Sequence, residues 1–489
     1  MDPQLLAQLK TWNPWWQGGA EGIERYKDPV YKRELYNEVL KQVERGDLIV
    51  SIVGMRQVGK STIMRQMMRK LLADGIDPRN ILYVSFDDPY LRVSYDQKRI
   101  FEEVIRVYAE HILGEDIAAT TKELYFFFDE IHQLPDWEKS LKSYFDRRFS
   151  VRYVVSGSSS LRLQSKNRES LLGRISEHTL WPFSFREYVE YRAMEEKDTE
   201  LLSLISLLRA PNAAFMATLK IAPIFPALEN AYTKLYASRK QSIIECLKRF
   251  ILDGGFPRVW QQPDLASKQR TLWEQHVAKV LFEDLPQIAK IRKVKDLEFL
   301  YVRIVDFNAK EAVLSQLQKD LHIHWDTLNR YLDYLLKTYL IFRVDRTKSK
   351  RSERKRRSGN VKFYVTDIAL SNALRRRTEE VYDNPDEMSY ISENLVCTAL
   401  KRWISGPQKD EQVVFYKDAS GEVDFVFKDV GETLPIEVKW RNDVPTLKAL
   451  DKLCKKWALD ESMVITKDFD LTYRNGRLSI PLWFFLLAF

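Results

Sequence analysis

Cysteine is scarce. Three residues, Cys246, Cys397 and Cys454, stand far apart in a chain of 489. An odd number in no metal-ligand spacing excludes a disulfide framework and fits a reducing, cytoplasmic compartment. Long apolar runs are missing as well: no window approaches the roughly 18 unbroken apolar residues of a membrane span. The opening MDPQLLAQLKTWNPWW lacks the basic-then-apolar order of a signal peptide. No membrane partner is therefore expected, and the final LWFFLLAF reads as a buried strand or helix. His322 and His324 lie two apart in a turn without further ligands nearby, which argues against a metal there. No internal repeat is visible. An excess of positive charge is scarce outside one segment. Of a net +8, Arg346–Arg357 (RTKSKRSERKRR) contributes +7 from eight Lys or Arg and one Glu, leaving +1 for the rest. A general polyanion-binding surface is not implied; one concentrated basic segment is.

What is there is enough to fold. Apolar residues make up 45% of the chain, so a sizeable core can form. The length suggests roughly three or four domains. Residues 1 to about 45 look helical. Apolar strands at Asp47–Gly54, Asn80–Asp88, Glu123–Leu134 and Val151–Ser160 alternate with helices, which predicts a parallel α/β sheet covered on both faces. Residues 190–310 are helical with proline breaks. Residues 311–345 read helix, turn, helix and strand, followed by the basic segment and the strand NVKFYVTD. Leu374–Glu387 is a charged linker, and the last hundred residues are α/β again.

Gly54-Met-Arg-Gln-Val-Gly59-Lys60-Ser61 fits G-x4-G-K-[ST] between a strand and a helix. Gly54 and Gly59 let successive N–H groups turn toward phosphates, and the helix N-terminus adds positive character. The spacing assigns Gly54, Arg56, Gln57, Val58, Gly59, Lys60, Ser61 and Thr62 to an ATP site. Lys60 would reach the β- and γ-phosphates and Ser61 would ligate Mg²⁺. FFFDE (Phe126–Glu130) supplies the acids: Asp129 to hold Mg²⁺, mostly through water, and Glu130 to orient and deprotonate the attacking water.

Residues 45–190 resemble an AAA+ ATPase core. That resemblance places Ser156 at sensor 1 and Arg174, in LLGRISEHTLWPFSF, at the arginine finger that completes a neighbouring subunit's ATP site. It implies a homo-oligomer, a ring with six subunits favoured. GGFP (Gly254–Pro257) resembles the GxP motif of signal-transducing ATPases, in which Pro257 would touch nucleotide. More closely, GMRQVGKST, FFFDEIHQLPDW, SGSSS, LLGR and WPFSFREYVEY together resemble a family of predicted prokaryotic ATPases carrying a winged helix and a nuclease-like C-terminal domain.

Leu314–Val344 with the basic segment looks like a winged helix whose wing is basic. Thr327, Asn329 and Arg330 would face DNA bases. The wing residues Lys348, Lys350, Arg351, Arg354, Lys355, Arg356 and Arg357 would meet phosphates, with steep salt dependence. In GEVDFVFKDVGETLPIEVKW (Gly421–Trp440), Asp424, Glu437 and Lys439 form D-x12-E-x-K, with Glu437 and Lys439 on one face of a strand. This resembles the PD-(D/E)xK site of Holliday-junction resolvases and restriction-type nucleases. The resemblance adds Glu393 as a helix acid, with Glu422 as a spare. Glu393, Asp424 and Glu437 would bind Mg²⁺ and Lys439 would assist a metal-bound water. Cutting DNA and merely binding it remain alternatives at this point.

The expected fold class is α/β: an AAA+ P-loop ATPase core over 1–190, a helical lid over 191–310, a winged helix with a basic wing over 311–378, and a restriction-endonuclease-like domain over 388–489. The expected function is ATP-driven processing of duplex or branched DNA. The rival is a switch ATPase gating a partner-binding or defence effector domain.

Overall fold

The computed structural model describes residues 3–158, 171–289, 291, 293–350, 360–404, 412–429, 431–443 and 446–489. These form two compact units, Met1–Leu180 and Trp181–Phe489.

The first unit is built on five parallel strands: β1 (Ile49–Gly54), β2 (Ile81–Ser85), β3 (Leu124–Asp129), β4 (Val151–Ser158) and β5 (Ile175–Leu180). Their order is β2-β3-β4-β1-β5. Every residue of β1 and β3 is buried, as a sheet covered on both faces requires. Phe126 and Phe128 on β3 pack with Phe86, Phe101 and Tyr153 in the core beneath one face. The N-terminal helix Pro3–Trp12 joins this core through Leu5 and Leu9. Asn13 fixes the chain that follows it: its amide donates to Tyr83 O at 2.8 Å and accepts from Tyr83 N at 2.7 Å.

The second unit begins with helices and ends in a nine-stranded sheet. The segment PFSFREY starts the helix Phe185–Glu195 by a capping box. Ser184 accepts from the Glu187 backbone, and the Glu187 side chain returns to the Ser184 backbone. The stretch Thr199–Thr218 is long and apolar enough, by length and composition, to cross a membrane. It forms two helices here, Thr199–Ser206 and Arg209–Thr218. Its charges are paired, Glu200 with Arg239 and Arg209 with Glu190.

The large sheet comprises β6 (Glu311–Val313), β7 (Ile341–Thr347), β8 (Asn360–Val365), β9 (Gln412–Asp418), β10 (Gly421–Lys428), β11 (Thr433–Lys439), β12 (Ser462–Thr466), β13 (Thr472–Arg474) and β14 (Arg477–Pro481). Their order is β13-β14-β12-β11-β10-β9-β7-β8-β6. Helices Leu314–Leu321 and Trp325–Lys337 precede the β7–β8 hairpin. That hairpin does not stand apart. β7 pairs in parallel with β9 through Asp345↔Val414 and Thr347↔Tyr416, so the hairpin that follows the two helices and the C-terminal strands share one sheet.

The charged stretch Leu374–Glu387, expected as a linker, is partly helical. It contains a 3₁₀ turn at Glu379–Asp383, and a helix starts at Pro385 and runs to Trp403. Asn384 caps this helix by accepting from the Asp386 and Glu387 backbones, with proline at the first position. Helix Pro385–Trp403 covers one face of the C-terminal strands, with Trp403 against Phe427. Helix Lys448–Trp457 covers the other, against Val414, Val423 and Val426. The final LWFFLLAF is a buried helix, Leu482–Ala488.

Candidate functional site

In the first unit, β1 and β3 flank β4, so the loop after β1 and the acids ending β3 lie at the same edge of the sheet. Gly54 ends β1 where a Cβ would sit 2.2 Å from the Leu180 carbonyl, so only glycine fits. Gly59 holds φ +103° and hands the chain to the helix Lys60–Ala73. Between them Gln57 adopts φ 59° and the buried Val58 offers its carbonyl to Arg33 Nη1 at 2.8 Å. Arg33 was not anticipated from the sequence; it pins the loop from outside the motif.

Lys60 is buried and folded back on its own loop. Nζ donates to Met55 O at 2.9 Å and Gly54 O at 3.3 Å, and lies 3.8 Å from Glu130 Oε1. Ser61 and Thr62 follow in the first turn, where helical N–H groups have no intrahelical partner. Arg56 lies at the tip of the loop and is half-buried.

Asp129 ends β3, buried. One carboxylate oxygen accepts from Ser156 Oγ and the other from Tyr83 OH at 2.8 Å. The Ser156 hydroxyl also accepts from Glu130 N at 3.1 Å, tying β4 to the acid pair. Glu130 takes φ 48°. Burial, reinforced by Asp129 and opposed by Lys60, raises its carboxyl above the ordinary range. Beside it His132 Nδ1 lies 3.2 Å from Glu130 Oε2, while Nε2 meets Ser158 Oγ at 3.1 Å. Burial, helped by Lys60 and Arg56, pushes the His132 pKa down to about 3, so the ring is neutral. The sequence hides Tyr83 and His132, because neither stands in a motif position.

The hydroxyl of Ser61 and the carboxylate of Asp129 are the oxygen donors that Mg²⁺ prefers, so the residues present fit that ion. Arg174 precedes β5 on the surface and pairs with Asp146 of its own chain, Nε to Oδ1 at 2.6 Å.

In the second unit GGFP ends the long helix Phe225–Asp253. Gly254 has φ 68°, Gly255 N donates to Asp367 Oδ2 at 2.7 Å, and Pro257 opens a short helix. Thr327, half-buried, and the exposed Arg330 lie early on helix Trp325–Lys337. Asn329 donates to Trp325 O at 3.0 Å. Lys348 is exposed, and Lys350 Nζ donates to Trp457 O at 2.8 Å. Arg351, Arg354, Lys355, Arg356 and Arg357 lie outside the described residues.

The hairpin β10–β11 brings Asp424 and Glu437 together. A β-bulge between Val423 and Val426 marks this point of β10. Val438 N donates to Asp424 Oδ2 at 2.9 Å, and Asp424 N to Glu437 Oε2 at 3.3 Å. Lys439 Nζ lies 2.5 Å from Glu437 Oε1 and 3.5 Å from Asp424 Oδ2. Burial, with Asp424 nearby, pushes Glu437 up to about 8.

Glu393 is not brought in as a third metal ligand; it meets Lys362 Nζ at 2.8 Å and Tyr364 OH at 2.6 Å, both from β8. Lys362 also lies 2.5 Å from Glu422 Oε1. Glu422 further contacts Lys417, at 3.4 Å. Burial pushes Glu393 up to about 7. Among the described residues no three of His, Cys, Asp and Glu converge closely enough to hold a metal. Lys362 had a signal in the sequence: one charge inside the apolar strand NVKFYV, the same oddity that marks Asp424 and Glu437.

Comparison with known proteins agrees with the first unit's geometry. Residues 47–189 match the model of an AAA domain. Residues 244–381 and 389–485 match two domains of unknown function, DUF8612 and DUF4143. An uncharacterized protein of Methanocaldococcus jannaschii is 24% identical over 419 residues, 84% of this chain and 79% of that one. An uncharacterized protein of Haemophilus influenzae is 28% identical over 165 residues, 34% of this chain and 39% of the relative.

Among solved structures, the Walker-type ATPase PABY2304 of Pyrococcus abyssi aligns at TM-score 0.39 and 16% identity, over 71% of this chain and 96% of that one. The Hsp104:casein complex of S. cerevisiae aligns at TM-score 0.29 and 14% identity, over 62% of this chain and 50% of that one. With a complete P-loop, an acid pair at the end of β3 and the AAA match over the same residues, the chain carries an ATPase domain of the AAA type.

Proposed function

We propose that the chain is an ATP-hydrolysing DNA-processing protein that works on duplex or branched DNA, including Holliday junctions. Lys60, Ser61 and Asp129 hold MgATP, and Glu130 activates water. Arg174 acts across a subunit contact in a homo-oligomeric ring, with a hexamer favoured. The second unit grips DNA through the β7–β8 hairpin, with Thr327 and Arg330 on the preceding helix. Three unpaired cysteines fit a cytoplasmic setting.

The observation that carries the DNA reading is the charge. A segment contributing +7 of a net +8 begins on β7 and runs in the sequence toward β8, after the two helices Leu314–Leu321 and Trp325–Lys337.

A second reading rests on a different observation. Glu393 is paired with Lys362, and no three of the described acids converge on a metal, which favours a C-terminal hairpin that binds without cutting. The chain would then be a switch ATPase gating an effector surface.

ATPase turnover with and without duplex and four-way-junction DNA separates the two. The motor reading expects DNA-stimulated turnover of about 1 s⁻¹ or more. It is lost in Lys60→Ala, and its stimulation is lost when the basic residues of 346–357 are neutralised. Turnover indifferent to DNA, with nucleotide held, selects the switch.

A further inference from the structure

The second unit gathers four carboxylates in one neighbourhood: the half-buried Glu393 from helix Pro385–Trp403 and Glu422 from β10, and the buried Asp424 from β10 and Glu437 from β11. Asp424 is 7% exposed and Glu437 5%. Buried carboxylates need a counter-cation, since the low-polarity interior cannot solvate them. In metal-dependent sites built from such acids, that cation is divalent and is held by oxygen donors converging on one point.

Here the chain supplies its own cations. Lys362 enters from β8 and is 3% exposed. Its Nζ lies over the Phe415 ring of β9, 5.6 Å from the ring centroid. Nζ then bridges Glu393 at 2.8 Å and Glu422 at 2.5 Å. Lys439 neutralises the other pair, Glu437 and Asp424. Tyr364 OH takes a further Glu393 lone pair and Val438 N takes one of Asp424. Each of the four acids thus has at least one oxygen held by an ammonium, hydroxyl or backbone donor. The residues therefore do not fit a resident Mg²⁺.

We propose that the Lys362 ammonium stands where a divalent cation would otherwise sit among Glu393, Glu422, Asp424 and Glu437. The cluster takes no Mg²⁺ or Mn²⁺ in the folded chain, and replacing Lys362 by methionine, which keeps an unbranched apolar stem but lacks the ammonium, converts the cluster into a cation site. The inference rests on and deepens the reading of the C-terminal hairpin as one that binds without cutting. Its test does not depend on DNA binding, so the two can fail separately.

The experiment measures Mn²⁺ binding to the full chain without nucleotide, by the loss of the free-ion electron paramagnetic resonance signal. Thermal denaturation is followed over a Mn²⁺ titration. Wild type, Asp424→Asn, Lys362→Met and the double variant Lys362→Met/Asp424→Asn are compared. Wild type and Asp424→Asn should bind Mn²⁺ alike. Lys362→Met should gain one Mn²⁺ per chain, about tenfold or more tighter than any wild-type binding, and a melting temperature that rises with Mn²⁺. Both gains should vanish in the double variant.

Two results overturn the proposal. One is a wild-type Mn²⁺ site lost in Asp424→Asn; the other is a folded Lys362→Met that gains none. If Lys362→Met does not fold, the comparison of wild type with Asp424→Asn still decides: equal binding supports the proposal and a lost site refutes it.

Discussion

His132 Nδ1 lies 3.2 Å from Glu130 Oε2, and through its other ring nitrogen His132 reaches Ser158 at the end of β4. A buried, neutral imidazole packed this close limits where the proposed base can lie without adding charge. His132→Ala should lower the kcat for ATP hydrolysis about tenfold and change KM little. Because burial raises the Glu130 carboxyl, activity should fall as pH drops through a value above the ordinary 4.5. No limb near pH 6.5 should appear, since His132 stays neutral down to about 3. A limb near 6.5 that disappears in His132→Ala would sink this assignment.

Arg174 is paired with Asp146 within the chain, at an exposed position. An exposed pair of this kind contributes about 0–1 kcal/mol to stability. Arg174→Ala should therefore leave the melting temperature nearly unchanged. If Arg174 serves a neighbouring subunit, the variant should lose about a thousandfold in kcat. Asp146→Ala should retain turnover. Equal activity in all three proteins would remove Arg174 from the site.

Gly54→Ala places a methyl group against the Leu180 carbonyl, which belongs to β5 and cannot retreat without breaking the sheet. The cost should be about 1–3 kcal/mol, together with loss of ATP binding. Denaturant unfolding and nucleotide titration of the variant measure the two effects. A Gly54→Ala protein of wild-type stability would show that the loop has room.

Glu437 is pushed up to about 8 and Glu393 to about 7 in the folded chain, against 4.5 ordinarily. Between pH 4.5 and 8 the folded state therefore holds more protons at these groups than the unfolded state does. Stability from them is greatest on the acid side and is lost as pH rises through that window. The melting temperature of wild type relative to Glu437→Gln should fall between pH 5 and pH 8.5. A difference that stays flat across this range would show that Glu437 ionises normally.

Much of the first unit was legible because its signals are local. Strand, glycine loop and helix follow one another from Ile49 to Ala73, and the acids of β3 end an unbroken apolar run. Arg33, Tyr83 and His132 were not legible, since each acts across the fold from a position with no spacing rule. In the second unit the helix-turn-helix and both flanking strands could be read from periodicity. That β7 would pair with β9 could not, because parallel pairing across some seventy residues leaves no local mark. The PFSFREY signature proved to be a capping box at Ser184 and Glu187, so a stretch that stands out in sequence is accounted for by a helix start.

The shared sheet also limits how this chain can be taken apart. β7 hydrogen-bonds to β9, and Lys362 on β8 pairs with acids on the C-terminal helix and hairpin. A cut between residues 378 and 388 would leave one fragment with an open strand edge and the other with buried acids that have lost their cation. For gene fusion, truncation or exchange between relatives, residues 311–489 are thus one unit of inheritance, and the β7–β8 hairpin cannot be borrowed without the strands behind it.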